Sequence, residues 1–221
     1  MVDTLMDFAA EREAMVQRQI ASRGITDPTI LEAFRCVPRE QFLSEEYRDL
    51  AYGDHPLPIE AGQTISQPYI VALMIKAAEI KPGDRVLEVG AGSGYAAAVM
   101  SRIASEVIAI ERQGELVEIA SERMRGLGYD NVRIVEGDGT RGWPEEAPYD
   151  AIVAAASGSH VPPPWVEQLA EGGRIVMPVG DPSWVQKLVK VTRGPAGKLI
   201  TEDLGAVRFV PLIGEEGWSD G

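Results

Sequence analysis

Thr64 and Ser66 are the side chains whose type and setting first suggest chemistry in this sequence. They lie in the stretch GQTISQPY, residues 62–69, on either side of Ile65. Neither of the chain's two histidines accompanies a G-x-S-x-G turn of the kind that exposes a nucleophilic serine. We therefore interpret Ser66 as a candidate catalytic residue that donates a hydrogen bond to a reacting group. The alternative is a buried turn hydroxyl that bonds only to backbone.

A second candidate site is the glycine-rich stretch VLEVGAGSGY, residues 86–95. Gly90, Gly92 and Gly94 fall between an apolar run that predicts a strand and a run that predicts a helix. Glycines at such a turn let the backbone approach a ligand closely, and the first turn of the helix offers unpaired N–H groups. By itself the pattern is a weak signal, and a tight structural turn is the alternative.

Three acidic residues at predicted strand ends favour a ligand. Glu88 precedes the glycines on the same predicted strand, Glu111 ends the second predicted strand, and Asp138 lies at the end of the third. A carboxylate in the position of Glu111 can accept both ribose hydroxyls of an adenosine, as in NAD enzymes. A cationic ligand with an amino group gains more from the other two carboxylates than a pyrophosphate does. The predicted cofactor is therefore S-adenosylmethionine, with an NAD-linked oxidoreductase as an alternative and a solvated turn as the alternative for Asp138.

The elements that must position these residues alternate regularly between strands and helices. Such an order predicts a mostly parallel, doubly wound sheet. Two further strands joined by a tight turn, residues 184–193 and 198–212, predict an antiparallel edge. The five parallel strands are expected at residues 84–90, 106–111, 132–138, 149–156 and 174–180, with a helix at 162–173 before the last.

The N-terminal residues predict a helical extension of the same domain. A helix is expected over residues 4–23, capped by Asp3 or Thr4, and a second helix is expected to follow Asp27. The fold class is accordingly α/β in a single domain. Residues 1–62 form a helical and lid-like extension, 63–180 the cofactor-binding core, and 181–221 the antiparallel strands and a loose tail.

Composition excludes several classes of function. The chain has 221 residues and a net charge of −13, which disfavours binding to nucleic acid. Cys36 is the one cysteine, so neither an intrachain disulfide nor a cysteine zinc site can form, and no metal is expected. No apolar run approaches 18 residues and no signal-type segment is evident, so we predict a cytoplasmic protein that does not contact a membrane.

Five stretches, in order, carry a specific resemblance: GQTISQPYIVA, VLEVGAGSGY, EEAPYDAIVAAA, QLAEGGRIVMPVG and AVRFVPL. Together they resemble the protein-L-isoaspartate O-methyltransferases of bacterial type, from about Met15 to Leu212. The resemblance implies the Rossmann-like fold of S-adenosylmethionine-dependent methyltransferases. It implies methyl transfer to the α-carboxylate of L-isoaspartyl residues in damaged proteins and peptides, with S-adenosylhomocysteine as the other product. A monomer is expected.

The resemblance also assigns roles to residues. It implies that Thr64, Ile65 and Ser66 border both cofactor and substrate, and that Val210 and Leu212 hold the isoaspartyl group through main-chain contacts. The residues implied to line the cofactor site are Gly90, Gly92, Glu111, Asp138 and Gly139. Two positions depart from the family pattern, Glu60 and the loop Ser157–His160, and both bear on the range of substrates. The loop also leaves open a relative that binds the cofactor without catalysis. This loop is expected to lie over the methyl-donor end of the site.

Overall fold

A computed structural model describes residues 6–219. Helix α1, Phe8–Met15, begins after Asp7, whose Oδ1 accepts hydrogen bonds from the N–H groups of Ala9 and Ala10 at 3.1 Å. The helical run continues to Arg23 as predicted and Gly24 ends it in the left-handed conformation, but its second half is a π-helical turn at Val16–Ile20 followed by a 3₁₀ turn at Ala21–Arg23. The π turn keeps Val16 and Ile20 buried. The predicted caps Asp3 and Thr4 lie outside the described residues.

The segment between the second helix and the core is irregular, as expected, but it contains an unpredicted ribbon. Helix α2, Pro28–Cys36, follows Asp27, whose Oδ1 caps it. Short 3₁₀ turns come next, and then β1, Leu57–Pro58, pairs antiparallel with β2, Thr64–Ile65. Two of the candidate residues therefore lie on a strand.

The remaining strands form one seven-stranded sheet in the order β5-β4-β3-β6-β7-β8-β9. The first five of these strands in sequence run parallel and the last two are antiparallel, which confirms the predicted arrangement. Their bounds are β3 Arg85–Val89, β4 Glu106–Glu111, β5 Val132–Glu136, β6 Tyr149–Ala154, β7 Leu169–Val179, β8 Gln186–Arg193 and β9 Leu199–Val207. The remaining helices are α3 Pro68–Ala78, α4 Tyr95–Ser101, α5 Gly114–Leu127 and α6 Pro163–Gln168.

Two apolar layers cover the sheet because successive strand residues point to opposite faces. Val86 packs into one layer with α2, α3, α4 and the N-terminal turns, whereas Leu87 packs into the other with Trp165 of α6. The N-terminal extension therefore shares the core of the sheet. Within residues 6–219 no helix combines the length and apolar character needed to cross a bilayer.

Two local predictions fail near the C-terminus. Helix α6 ends at Gln168 and not at residue 173, because Leu169 already pairs with Tyr149 of β6. The tail is not loose over its described part, since Trp218 N–H donates to Leu212 O at 2.8 Å and its indole Nε1 donates to Ser157 O at 2.9 Å. An exposed glycine-rich end gave no sign of these bonds.

Candidate active site

The candidate residues converge at the carboxyl ends of β3, β4, β5 and β6, where ligands bind in open α/β sheets. A cavity of about 200 Å³ opens there. Its walls include Thr64, Gly90, Gly92, Glu111, Gly139, Val210 and Leu212. The structure thus brings together candidates that are more than 100 residues apart in the sequence.

The predicted glycine turn is present between β3 and α4. Gly90 and Gly94 both have φ of 86°, a left-handed conformation that side-chain-bearing residues rarely adopt. At Gly94 a Cβ would also lie 2.7 Å from Met124 Cε. The N–H groups of Gly90 and Ala91 both donate to Ile110 O, at 2.9 and 3.0 Å, and fix the turn against β4.

Glu111 is held against this turn by backbone hydrogen bonds. Its Oε2 accepts from Gly92 N–H at 2.9 Å, and its Oε1 accepts from the N–H groups of Arg112 and Gln113 at 2.8 and 3.0 Å. The side chain is buried. Three donors therefore fix the direction of a carboxylate that borders the cavity and keeps lone pairs for a ligand.

Glu88 is the least satisfied acid in the site. It is 2% exposed, and its Oε2 has no hydrogen-bond partner. Burial, reinforced by the negative charge of Glu111, raises the pKa of Glu88 well above its ordinary value, although a backbone hydrogen bond from Ala97 opposes the shift. Glu88 borders a small hollow of about 30 Å³ together with Ser66 and Tyr95. A carboxyl oxygen without a partner at a hollow suits the amino group of a ligand.

Asp138 lies beside the main cavity and is engaged by the protein. Its Oδ1 accepts from Thr140 N–H and Oγ1 at 2.9 and 2.7 Å, and its Oδ2 accepts from Glu215 N–H at 2.8 Å. Burial alone would raise the pKa of Asp138, but these hydrogen bonds outweigh it and lower the pKa. Asp138 lines an adjoining hollow with Arg112 and Trp218. Its predicted contact with an adenine amino group remains a prediction.

Ser66 lies at the floor of a larger cleft of about 720 Å³. It is partly exposed, and its hydroxyl makes no hydrogen bond to the described residues. The alternative of a buried hydroxyl satisfied by backbone is therefore wrong. Thr64 borders the cleft as well, whereas Ile65 is buried and reaches only the small hollow. The turn before Thr64 is anchored to α5 through Glu60, whose Oε1 lies 3.1 Å from Arg123 Nη2.

Val210 and Leu212 lie on an extended segment that crosses the ends of the strands. Val210 borders both the 200 Å³ cavity and the cleft, whereas Leu212 borders the cavity alone. Ser157 N–H donates to Val210 O, and Leu212 N–H donates to Ser157 O, both at 2.8 Å. Ser157 is thus a buried support of this segment. The loop Ser157–His160 lines neither space, contrary to the expected position over the methyl-donor end.

Gln186 is a residue of the site that the sequence did not reveal. It is 1% exposed; its Oε1 accepts from Phe209 N–H at 2.8 Å, and its Nε2 donates to Phe209 O at 3.3 Å. The side-chain amide thereby replaces a strand partner just beyond the end of β9. A glutamine at the start of a predicted strand carries no signal for this role.

A family model described as Protein-L-isoaspartate(D-aspartate) O-methyltransferase (PCMT) matches residues 10–217. The chain belongs to this family. The match covers every candidate residue named above, including the segment that crosses the strand ends. Within residues 6–219 no cluster of histidine, cysteine and acidic side chains could hold a metal ion.

Relatives agree over nearly the full chain. Protein-L-isoaspartate O-methyltransferase 1 of Rhodopseudomonas palustris strain HaA2 is 58% identical, over 98% of this chain and 89% of its own length. Protein-L-isoaspartate O-methyltransferase 2 of Pelobacter propionicus is 56% identical, over 94% of this chain and 92% of its own length. The family resemblance inferred from the sequence motifs is confirmed.

Solved structures agree with the fold. A protein-L-isoaspartate O-methyltransferase structure superposes with a TM-score of 0.85 at 34% identity, covering 93% of this chain and 67% of that one. A Plasmodium falciparum protein assigned to the same enzyme, in complex with S-adenosyl-L-homocysteine, gives a TM-score of 0.79 at 30% identity and covers 91% and 98%. The Rossmann-like methyltransferase fold is confirmed, and the NAD-linked alternative is not supported.

Proposed function

We propose that this protein transfers a methyl group from S-adenosylmethionine to the α-carboxylate of L-isoaspartyl residues in damaged proteins and peptides. The observation that carries the proposal is the shared wall of the two spaces at the strand ends. Thr64, Ala155, Val210 and Pro211 border both the 200 Å³ cavity and the 720 Å³ cleft. A donor held in the cavity and an acceptor held in the cleft would meet at this wall.

The cavity fits the methyl donor in the chemistry of its lining. We assign Glu111 to the ribose hydroxyls, because its carboxylate is fixed beside the glycine turn. We assign Glu88 to the amino group, because Oε2 has no protein partner. Gly90, Gly92, Gly94, Asp138 and Gly139 complete the proposed set. When bound, S-adenosylmethionine supplies an electrophilic methyl group on a positively charged sulfur.

The cleft fits a carboxylate acceptor that needs no general base. A carboxyl group with an ordinary pKa near 4 is already ionised at neutral pH and can act as the nucleophile directly. Ser66 then has to orient this carboxylate, and its uncommitted hydroxyl is available as a donor. Holding the reacting groups in line accounts for as much as about 7–11 kcal/mol of a barrier. Positioning can therefore carry this reaction without a catalytic histidine.

The cleft also suits an extended polypeptide. Its far wall is formed by Pro182, Val185 and residues 206–211, which are open to solvent on one side. We propose that Val210 and Leu212 position the isoaspartyl group through this segment. We propose a monomer as the active unit.

The deciding experiment is methyl transfer from labelled S-adenosylmethionine to an isoaspartyl peptide. The matched aspartyl peptide of identical sequence is the control. Label transfer to the first peptide alone, lost when the α-carboxylate is replaced by a carboxamide, supports the proposal. Cofactor binding by calorimetry without label transfer would instead identify a relative that binds S-adenosylmethionine and does not catalyse.

A further inference from the structure

Arg39 is a buried cation directly behind the Ser66 turn. It begins the 3₁₀ turn Arg39–Phe42 and is 0% exposed. Its Nη2 donates to the carbonyl oxygen of Ser66 at 2.9 Å, and its Nε donates to Ala51 O at 2.7 Å. The guanidinium thus holds the main chain of the residue whose hydroxyl faces the cleft.

No ion pair within residues 6–219 neutralises Arg39. The neighbouring carboxylate of Glu40 is taken by Arg12, at 3.2 Å, and by the hydroxyl of Tyr52. The ring of Tyr95 lies 4.7 Å from the guanidinium carbon, and Nη1 is buried without a hydrogen-bond partner. Arginine stays protonated in proteins, and buried charges are ordinarily paired. An unpaired guanidinium at this place therefore needs a reason.

The negative charge of the acceptor carboxylate gives a reason for the unpaired guanidinium of Arg39. Glu88 and Glu111 border the neighbouring spaces, whereas the charged residue that lines the cleft itself is Arg208, which is exposed. Carboxylates beside the acceptor repel its negative charge, and a cation in a poorly hydrated position offsets that repulsion more effectively than a solvated one does. Arg39 is the buried cation bonded to the Ser66 turn.

We propose that Arg39 is a positioning residue for the substrate carboxylate, in two ways. It fixes the Ser66 main chain so that the hydroxyl faces the cleft, and its unpaired charge favours an anion beside that hydroxyl. The inference rests on the proposed isoaspartyl methylation. It adds that the preference for a charged carboxylate over a neutral acceptor comes from a buried residue that contacts neither ligand.

The test uses Arg39→Met, Arg39→Lys and a matched control, Arg174→Met. Arg174 is also buried and also donates to main-chain oxygens, of Ala78 and Glu79, both at 2.7 Å. It lies away from the site, and Asp84 is its ion-pair partner at 3.2 Å. The control therefore loses a buried arginine of similar structural importance without altering the cleft.

Four quantities are measured for each folded variant: KM and kcat for an isoaspartyl peptide, Ki for the analogue with a carboxamide in place of the α-carboxylate, and Kd for S-adenosylhomocysteine. In Arg39→Met, which loses both the charge and the Ser66 contact, kcat should fall and KM should rise about 10-fold or more, while Ki for the neutral analogue changes less than about threefold. In Arg39→Lys, the shorter amine weakens the Ser66 contact, so kcat should fall about 3- to 30-fold; because a buried lysine can lose its proton, KM should lie near wild type at low pH and rise with pH. Kd should stay within about twofold in both variants.

The possible results distinguish a positioning residue from a structural arginine. Parallel losses of carboxylate and carboxamide binding in Arg39→Met, or an equal rise of KM in Arg174→Met, overturn the inference and leave a structural arginine. If Arg39→Met does not fold, Arg39→Lys decides, because wild-type kcat in that variant refutes the positioning role. A wild-type protein that binds S-adenosylhomocysteine but methylates no isoaspartyl peptide refutes the proposed function itself, before any variant is compared.

Discussion

Replacing Glu88 by glutamine should make the protein more stable and a poorer ligand binder. Glu88 is buried, with one carboxyl oxygen lacking any hydrogen-bond partner. Burial raises its pKa, so the fold prefers the protonated form. The stability that goes with a raised pKa is present below the unfolded value, about 4.3, and is lost as pH rises through the folded value. Above that range the ionised side chain destabilises the native state.

The size of the effect follows from this pH dependence. Each pH unit between the unfolded and folded pKa of Glu88 costs about 1.4 kcal/mol. Glutamine has nearly the same shape and cannot ionise. The stability difference between Glu88→Gln and wild type should therefore be small near pH 4 and grow as pH rises through the folded pKa of Glu88. For a chain of this size, each kcal/mol of added stability raises Tm by roughly 2–4 °C.

The assay is thermal unfolding between pH 4 and pH 9, with and without S-adenosylhomocysteine. Without ligand, Tm of Glu88→Gln should exceed that of wild type increasingly as pH rises. With ligand, the difference in Tm between Glu88→Gln and wild type should shrink or reverse. The variant loses a charged hydrogen bond to the amino group of the ligand, worth about 1.5–3 kcal/mol. Glu118→Gln, at an exposed position on α5, is the control and should change neither quantity. A Glu88→Gln variant that is less stable at every pH and binds S-adenosylhomocysteine normally would refute the assigned role.

Three further predictions concern the other residues of the site. Glu111→Ala should weaken S-adenosylhomocysteine binding by on the order of 1.5–3 kcal/mol in calorimetry, and unchanged affinity in the folded variant contradicts the ribose assignment. Ser66→Ala should lower single-turnover methylation roughly 10- to 1,000-fold with little loss of ligand affinity, and a covalent adduct on Ser66 in mass spectrometry would show a nucleophile instead. Gln186→Met should raise KM for the peptide several-fold and leave Kd for S-adenosylhomocysteine unchanged, because the main chain of Phe209 loses both hydrogen bonds to residue 186. An unaltered KM would show that Gln186 does not support the peptide site.

The sheet and its glycine turn could be predicted from the sequence because they depend on local patterns. Buried parallel strands appear as short apolar runs, and the acid at the end of such a run is placed by the sheet itself. Glu111 therefore reached its predicted place at the end of β4. The π turn at Val16–Ile20 within the N-terminal helix was not predicted, because it depends on packing that local periodicity does not report.

The segment after β9 could not be predicted because its partners are remote. Val210 O is bonded by Ser157, Phe209 by the side chain of Gln186, and Asp138 by the backbone of Glu215. None of these contacts has a periodicity or a turn signature. Asp138 shows the consequence, because its place after β5 suggested a free ligand, whereas the C-terminal residues already occupy one of its oxygens.

The two charged side chains around Ser66 share one electrostatic feature. Glu88 and Arg39 are both buried, both lack a counter-ion within the described chain, and both adjoin Ser66: one across the small hollow and the other through the Ser66 carbonyl. A donor with a positively charged amino group and an acceptor with a carboxylate supply the charges that these residues lack. Each ligand should therefore relieve a different electrostatic cost of the free protein. The donor's sulfonium adds positive charge beside the carboxylate before transfer and is neutral after it, so the attraction that assembles the reactants is absent from the products.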